Sequence, residues 1–215
     1  ERFAVDQYLM RGGAVAALAG QYLLDIPPGA QRLNLRPAAA GIESLLDHYG
    51  LAVEAALVLD KQNEPFPIPV ARDLGGIVVQ EIQQLDYPFF VDVRSDGMNR
   101  KSPIVANLPA LTLNWVSPVV VVPETAGQRQ VTTLVQSSPQ AWLSTETDIQ
   151  PDFERYARYG FPVGEPLGVH TLAAVMQGSF TSFFTEETDP RRAAANAGEA
   201  AAGKKDPQAS GAGAP

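Results

Sequence analysis

Apolar residues near the start of the chain recur roughly three to four positions apart, at Phe3, Tyr8 and Leu9 with Val5 and Met10 beside them. That spacing predicts the end of a helix already under way, stopped by the pair Gly12-Gly13. The run Ala14-Val15-Ala16-Ala17-Leu18-Ala19 then closes at Gly20, and its short length suits a buried strand. Residues 25–37 carry three prolines and read as a loop. Pro37 opens a predicted helix over 38–49, with Ile42, Leu45, Leu46 and Tyr49 on one face and Gly50 as its stop. Residues 51–60 are strand-like. A strand, a helix and a strand in succession are the signature of a parallel sheet covered by helices.

Farther on, prolines alternate through Glu64-Pro65-Phe66-Pro67-Ile68-Pro69. This segment cannot be a central strand, because proline supplies no ladder donor. Residues 77–82 and 87–93 read as extended, and Asp96-Gly97 as a turn. Residues 102–108 read as a short helix capped by Ser102 with Pro103 at its first position. Further strands are predicted over 111–115, 119–122, 131–137 and 169–176. The third-last lies between Pro118 and Pro123 and so belongs at an edge. The fold class expected from this order is α/β, three-layered, with a mostly parallel sheet that the chain enters after its first strand or strands.

Residues 186–215 hold ten Ala, four Gly and three Pro but no Val, Leu, Ile, Met or aromatic residue. Nothing there offsets the entropy of ordering. The expected organisation is an α/β domain over 1–185 and an Ala/Gly/Pro-rich linker over 186–215.

Composition removes several functions. The 215 residues carry a formal charge of −8, which disfavours nucleic acid and anionic lipid as partners. No cysteine is present, so thiol nucleophiles, disulfides and thiolate metal sites are excluded. No secretory leader pattern and no uninterrupted apolar run of membrane-spanning length occurs.

Candidate chemistry is sparse. No G-x-S-x-G elbow is found, and the serine pair Ser137-Ser138 before Pro139 reads as a strand end capping a turn. His48, near a helix end, and His170, in an apolar strand, lack the spacing of a zinc helix. Arg72 and Asp73 form a local charge pair. Gly75-Gly76 precede an apolar strand, so they read as a turn rather than a phosphate cradle. Trp115 and Trp142 are packing residues or, alternatively, sugar-stacking platforms. The weak ligand or partner candidates are therefore Arg72, Asp73, Trp115, Ser137, Ser138 and Trp142. No catalytic, metal or cofactor residue is assigned, and neither an enzymatic activity nor a cofactor is expected.

Three stretches resemble one family. Ala4-Val5-Asp6-Gln7-Tyr8-Leu9-Met10-Arg11-Gly12-Gly13 followed by a small apolar run is similar to the helix, double glycine and strand of GldG-like proteins, auxiliary components of an ABC-type transport system linked to gliding motility. Residues 41–60, ending in Leu57-Val58-Leu59-Asp60, resemble its next helix and strand. Val135-Gln136-Ser137-Ser138-Pro139-Gln140-Ala141-Trp142 and Leu172-Ala173-Ala174-Val175-Met176-Gln177-Gly178-Ser179-Phe180 resemble its later strands, with Ser102-Pro103-Ile104-Val105-Ala106-Asn107-Leu108 between them. Gly20-Gln21-Tyr22 departs from the Asp and Pro usual in the family after the first strand. The resemblance implies a flavodoxin-like or class I amidotransferase-like sheet without its catalytic cysteine. It also implies a non-enzymatic domain on the periplasmic, extracytoplasmic face of the inner membrane, tethered by flanking transmembrane segments. Its implied partners are the permease and ATPase subunits of the same system and an envelope polysaccharide or protein. The alternative from the residues themselves is a carbohydrate-binding or carbohydrate-processing domain using surface carboxylates and Trp115 or Trp142. The third is a structural spacer.

Overall fold

Asp60 ends the four-residue strand Leu57–Asp60, in which every residue is buried, and the largest part of the molecule is arranged about that strand. The computed structural model describes residues 1–25, 34–73, 75–76 and 78–192. The described residues divide into two compact units: 1–16 with 180–192, and Ala17–Ser179.

In the first unit, helix α1 (Arg2–Met10) buries Asp6 completely. Its carboxylate accepts hydrogen bonds from Ser182 Oγ and the Phe183 N–H, both at 2.7 Å, and from Gln7 Nε2 at 2.9 Å. Phe3 meets Phe184 edge-on at 5.1 Å, and the Arg191 guanidinium stands 4.7 Å over the Phe3 ring. Residues 1–16 and 180–192 are thus joined across most of the chain's length. Of the expected linker, residues 186–192 are described; residues 193–215 lie outside the described residues.

The second unit holds strands β1 (Tyr22–Asp25), β2 (Asn34–Pro37), β3 (Leu51–Val53), β4 (Leu57–Asp60), β5 (Phe66–Asp73), β6 (Val78–Leu85), β7 (Phe90–Val93), β8 (Leu111–Asn114), β9 (Val119–Val121), β10 (Gln130–Gln136), β11 (Ala141–Ser144) and β12 (Thr171–Gln177). Helices α2 (Glu43–Tyr49) and α3 (Pro123–Ala126) are the helices of this unit among the described residues, besides a 3-10 turn at Ser95–Gly97. The strands pair as β1–β2, β3–β9, β4–β11, β5–β6, β7–β8 and β10–β12, and every pair is antiparallel.

The expected three-layer α/β fold with a mostly parallel sheet, flavodoxin-like or amidotransferase-like, is therefore corrected. The strand–helix–strand unit fails at both ends. Residues 14–19 adopt no regular secondary structure and enter no ladder, and Leu18 is 96% exposed; an apolar run becomes a strand only when a neighbour takes its backbone groups. After α2, the chain forms β3 and then β4, which pair antiparallel with β9 and β11 rather than with a parallel neighbour. Gly50 permits the close approach of α2 to α3: it sits at φ 98°, and a Cβ there would run into Ala126. Residues 102–108 form turns instead of the expected helix: the Ala106 N–H reaches the Ser102 carbonyl at 2.9 Å, and Arg100 Nη1 takes the carbonyls of Ala106 and Leu108 at 2.6 and 3.0 Å, closing the segment after one turn.

Apolar runs such as 57–59 are buried on both sides here without any helical layers. Side chains alternate across a strand, so β4 separates two cores. Val58 packs with Val91, Val93, Val135 and Leu172, while Leu57 and Leu59 pack with Phe89, Trp142 and Phe161. Tyr87 joins the second core, and its buried hydroxyl donates to the Ile149 carbonyl at 2.8 Å. Burial pushes the Tyr87 phenol up to about 12, against the indole hydrogen bond from Trp115, which lowers it, with Asp148 nearby adding to the rise. No helix among the described residues is long and apolar enough to cross a membrane.

Trp142, 1% exposed, tests the strand partition. Trp142→Ala is expected to lower the unfolding free energy by about 3–5 kcal/mol, measured by urea denaturation of the purified chain.

Candidate functional site

The loops after β4 and β10 bring Asp60, Ser137, Ser138 and His170 together. The Ser138 N–H donates to Asp60 Oδ2 at 2.7 Å, and the Ser138 hydroxyl donates to Oδ1 at 2.6 Å. The Gln62 N–H adds a third bond to Oδ1 at 2.9 Å. A carboxylate with no solvent exposure is tolerated only with such donors. Ser137 Oγ accepts the His170 main-chain N–H at 2.8 Å and donates to the Ser138 carbonyl at 3.2 Å. The Ser137 N–H returns to the His170 carbonyl at 2.9 Å. Neither serine hydroxyl is bonded to an imidazole. Both serines splice the end of β10 to β4 and to the start of β12.

Sequence reasoning missed Asp60. Its signal was the single acid closing the apolar run Leu57-Val58-Leu59: an acid continuing a buried strand needs donors, and a serine pair at another strand end is one source of them.

The His170 side chain has a different role. Its Nε2 is buried and has no hydrogen-bond partner, and the residue lines a cleft of about 310 Å³. The valines of β9 form one wall, with Thr171 and Ala174 of β12 opposite and Glu54 at the rim. Desolvation holds the His170 imidazole below its usual range, opposed by the negative charges of Glu54 and Asp60. The cleft is therefore mixed in character, its valines interrupted by the hydroxyls of Thr133 and Thr171, the His170 imidazole and the Glu54 carboxylate. Its size is at the lower end for small-ligand pockets.

The remaining candidates lie elsewhere. Arg72 pairs with Glu81 across the β5–β6 hairpin at 3.4 Å rather than with its neighbour Asp73, and both ends of that pair are exposed. Asp73 Oδ1 instead accepts the Gly76 N–H at 2.7 Å and closes the hairpin turn. Trp142 is core, which removes it as a sugar-stacking platform. Trp115 is half-buried at φ 50°, a left-handed conformation costly for a bulky residue. It is anchored there by its N–H to the Phe89 carbonyl at 2.9 Å, its indole N–H to Tyr87 Oη at 3.4 Å, and an edge-on contact with Phe90 at 5.1 Å. His48 occupies the last turn of α2, its ring against Tyr49. No group of three or more His, Asp or Glu residues suited to a metal occurs among the described residues.

A family model described as an ABC-type uncharacterized transport system matches residues 1–209. The match reaches the auxiliary components of such a system and does not single out the gliding-motility branch. No curated protein and no solved structure matches the chain significantly.

Two outcomes follow from the geometry. Asp60→Asn turns an amide N–H₂ or a weaker acceptor toward the Ser138 donors, so it is expected to cost more stability than Ser138→Ala, which removes one hydroxyl at about 1 kcal/mol; paired urea titrations measure the difference. The folded His170 binds fewer protons than the unfolded chain below the ordinary histidine value of 6.5. Its stabilising contribution is full above that value and is lost as pH falls toward the lowered one. The denaturation midpoint is expected to drop between pH 7 and 5, with a shallower slope in His170→Gln.

Proposed function

This chain belongs to the family of auxiliary components of an ABC-type uncharacterized transport system, and we propose that it is a non-enzymatic accessory domain that holds a segment of a partner subunit in the β9–β12 cleft. The single observation that carries this reading is the cleft itself. Strand β9 is bonded only to β3 and β12 only to β10 among the described residues, so each retains an unpaired edge beside the valine wall. An extended segment of another protein finds main-chain partners at one such edge and seats side chains in the cleft beside it. Glu54, the His170 imidazole and the hydroxyls of Thr133 and Thr171 then supply polar selection beside the valine wall.

The rest of the reading fits this role. Serine hydroxyls and the buried carboxylate are consumed in joining strands, which leaves the convergent polar groups to recognition. The Gly75-Gly76 pair closes a hairpin and opens no helix, so it forms no phosphate cradle, and the ATP-driven step belongs to another chain of the system. The domain acts on the extracytoplasmic face of the membrane, tethered by segments beyond this sequence, with the permease as the partner.

The test places a photo-reactive residue at Val120 or Thr171 of the full-length protein in membranes that contain the transporter. Covalent capture of the permease from these positions, and not from exposed Glu146, is the expected result. Fractionation of the intact protein with the cytosol, or equal capture from Glu146, would overturn the reading.

A further inference from the structure

The β5–β6 hairpin presents one usable strand edge, and its chemistry selects a partner. Its eight residue pairs run without a break from Phe66↔Leu85 to Asp73↔Val78. Pro67 and Pro69 have no N–H, so the ladder is closed by Phe66, Ile68, Val70 and Arg72, which turn their N–H and C=O groups toward β6. The prolines therefore face the outer edge of β5 and disable it for further pairing. On β6 the corresponding outward residues are Val78, Gln80, Ile82 and Gln84, all with an N–H, and no other strand pairs with them among the described residues. One edge is blunted and the other is open.

The outward-bonding residues also share a face. Val78 and Ile82 are 68% and 70% exposed, and Pro69 and Ala71 lie on the same side of the hairpin by register. A two-stranded ribbon exposing such a face is marginal alone and gains from more strands.

We propose that β6 pairs antiparallel with β6 of a second copy of this chain, about a two-fold axis at Ile82, to make a four-stranded sheet. The strand's own pattern fits a second copy, apolar on apolar and amide on amide, and charge selects the register. Glu81 is the only charged residue of β6. Centring the axis on Ile82 sets Ile82 against Ile82, Gln80 against Gln84, and Glu81 against Gln83, so no like charges meet. Moving the axis to Glu81 preserves the overlap but sets Glu81 against Glu81, which is unfavourable. With β5 closed by its prolines, each chain has a single edge in this hairpin to offer. The pairing is isologous and ends at two copies instead of growing into a filament. The inference is independent of the partner cleft, which lies on β9 and β12.

The absence of cysteine makes the register directly testable. Directly opposed hydrogen-bonded residues have Cα atoms about 5.5 Å apart, within disulfide reach. Single-cysteine variants I82C and V78C of the 215-residue chain are oxidised under mild conditions, and the unmodified chain is measured by sedimentation. The expected results are a dimer, rapid intermolecular disulfide formation by I82C, and little by V78C. Gln80→Pro removes one outward donor per chain and leaves the bonds to β5 intact; it is expected to weaken dimerisation about 10- to 100-fold with an unchanged circular dichroism spectrum. A monomer at high concentration, equal cross-linking by the two cysteine variants, or dimerisation untouched by Gln80→Pro would overturn the proposal. So would β6 taking up a strand from a different protein while the chain itself remains monomeric.

Discussion

The Asp60 carboxylate sits at the end of a strand that borders both cores of the larger unit, wholly removed from water and satisfied by Gln62 and twice by Ser138. Burying that charge is tolerable only while all three donors point at it, so the chain after β4 must bend back for Gln62 and the β10–β11 turn must approach from elsewhere in the sequence. Two ladders that share no strand, β4–β11 and β10–β12, are thereby held at a common corner. Ser137 extends the corner by one residue, bonding the main chain of His170 in both directions. The start of β12, and with it the wall of the cleft, takes its position from a carboxylate whose side chain never reaches the cleft.

Polar groups of this protein divide into two kinds. Asp6, Asp60, Ser137, Ser138 and Ser182 spend their hydrogen-bonding capacity holding distant segments together. Main-chain capacity is left over at strand edges: among the described residues β9, β12 and β6 each pair on one side only, with exposed Val121, Val78 and Ile82 along two of them. Edges of that kind can take up a further strand, and the chain belongs to the family of auxiliary components of an ABC-type transport system. The prolines of β5 illustrate how sharply such surfaces are delimited, since two missing N–H groups separate an edge that accepts a neighbour from one that does not.

Much of the local structure was legible in the order of residues. The first helix and its glycine stop, the helix ending at Gly50, and the strands at 57–59, 90–93, 111–114, 119–121, 131–136 and 171–176 follow from short-range spacing and punctuation, as does the exclusion of a central strand at 64–69. The family resemblance was legible too, at the level of transport-system auxiliary components. Strand direction was not. A fully apolar run such as Leu57-Val58-Leu59 reports burial on both faces, and both a parallel sheet under helices and an antiparallel strand between two cores produce it. Residues 102–108 carried a helix cap yet form only turns, with the Arg100 guanidinium closing the segment on the Ala106 and Leu108 carbonyls, a contact that propensity does not register.

By itself, then, the amino-acid order determined where backbone turns, where proline withholds a donor, which side chains must leave water, and which reactive groups are wholly missing. Those are properties of a residue and its near neighbours. Tertiary structure alone decided which strands pair, that Asp60 and Ser138 meet across 78 positions, that Trp142 is core, and that His170 lines a cleft. Each depends on satisfying a buried donor, acceptor or apolar face with a group far along the chain, and the selection among distant candidates is made by packing the whole at once.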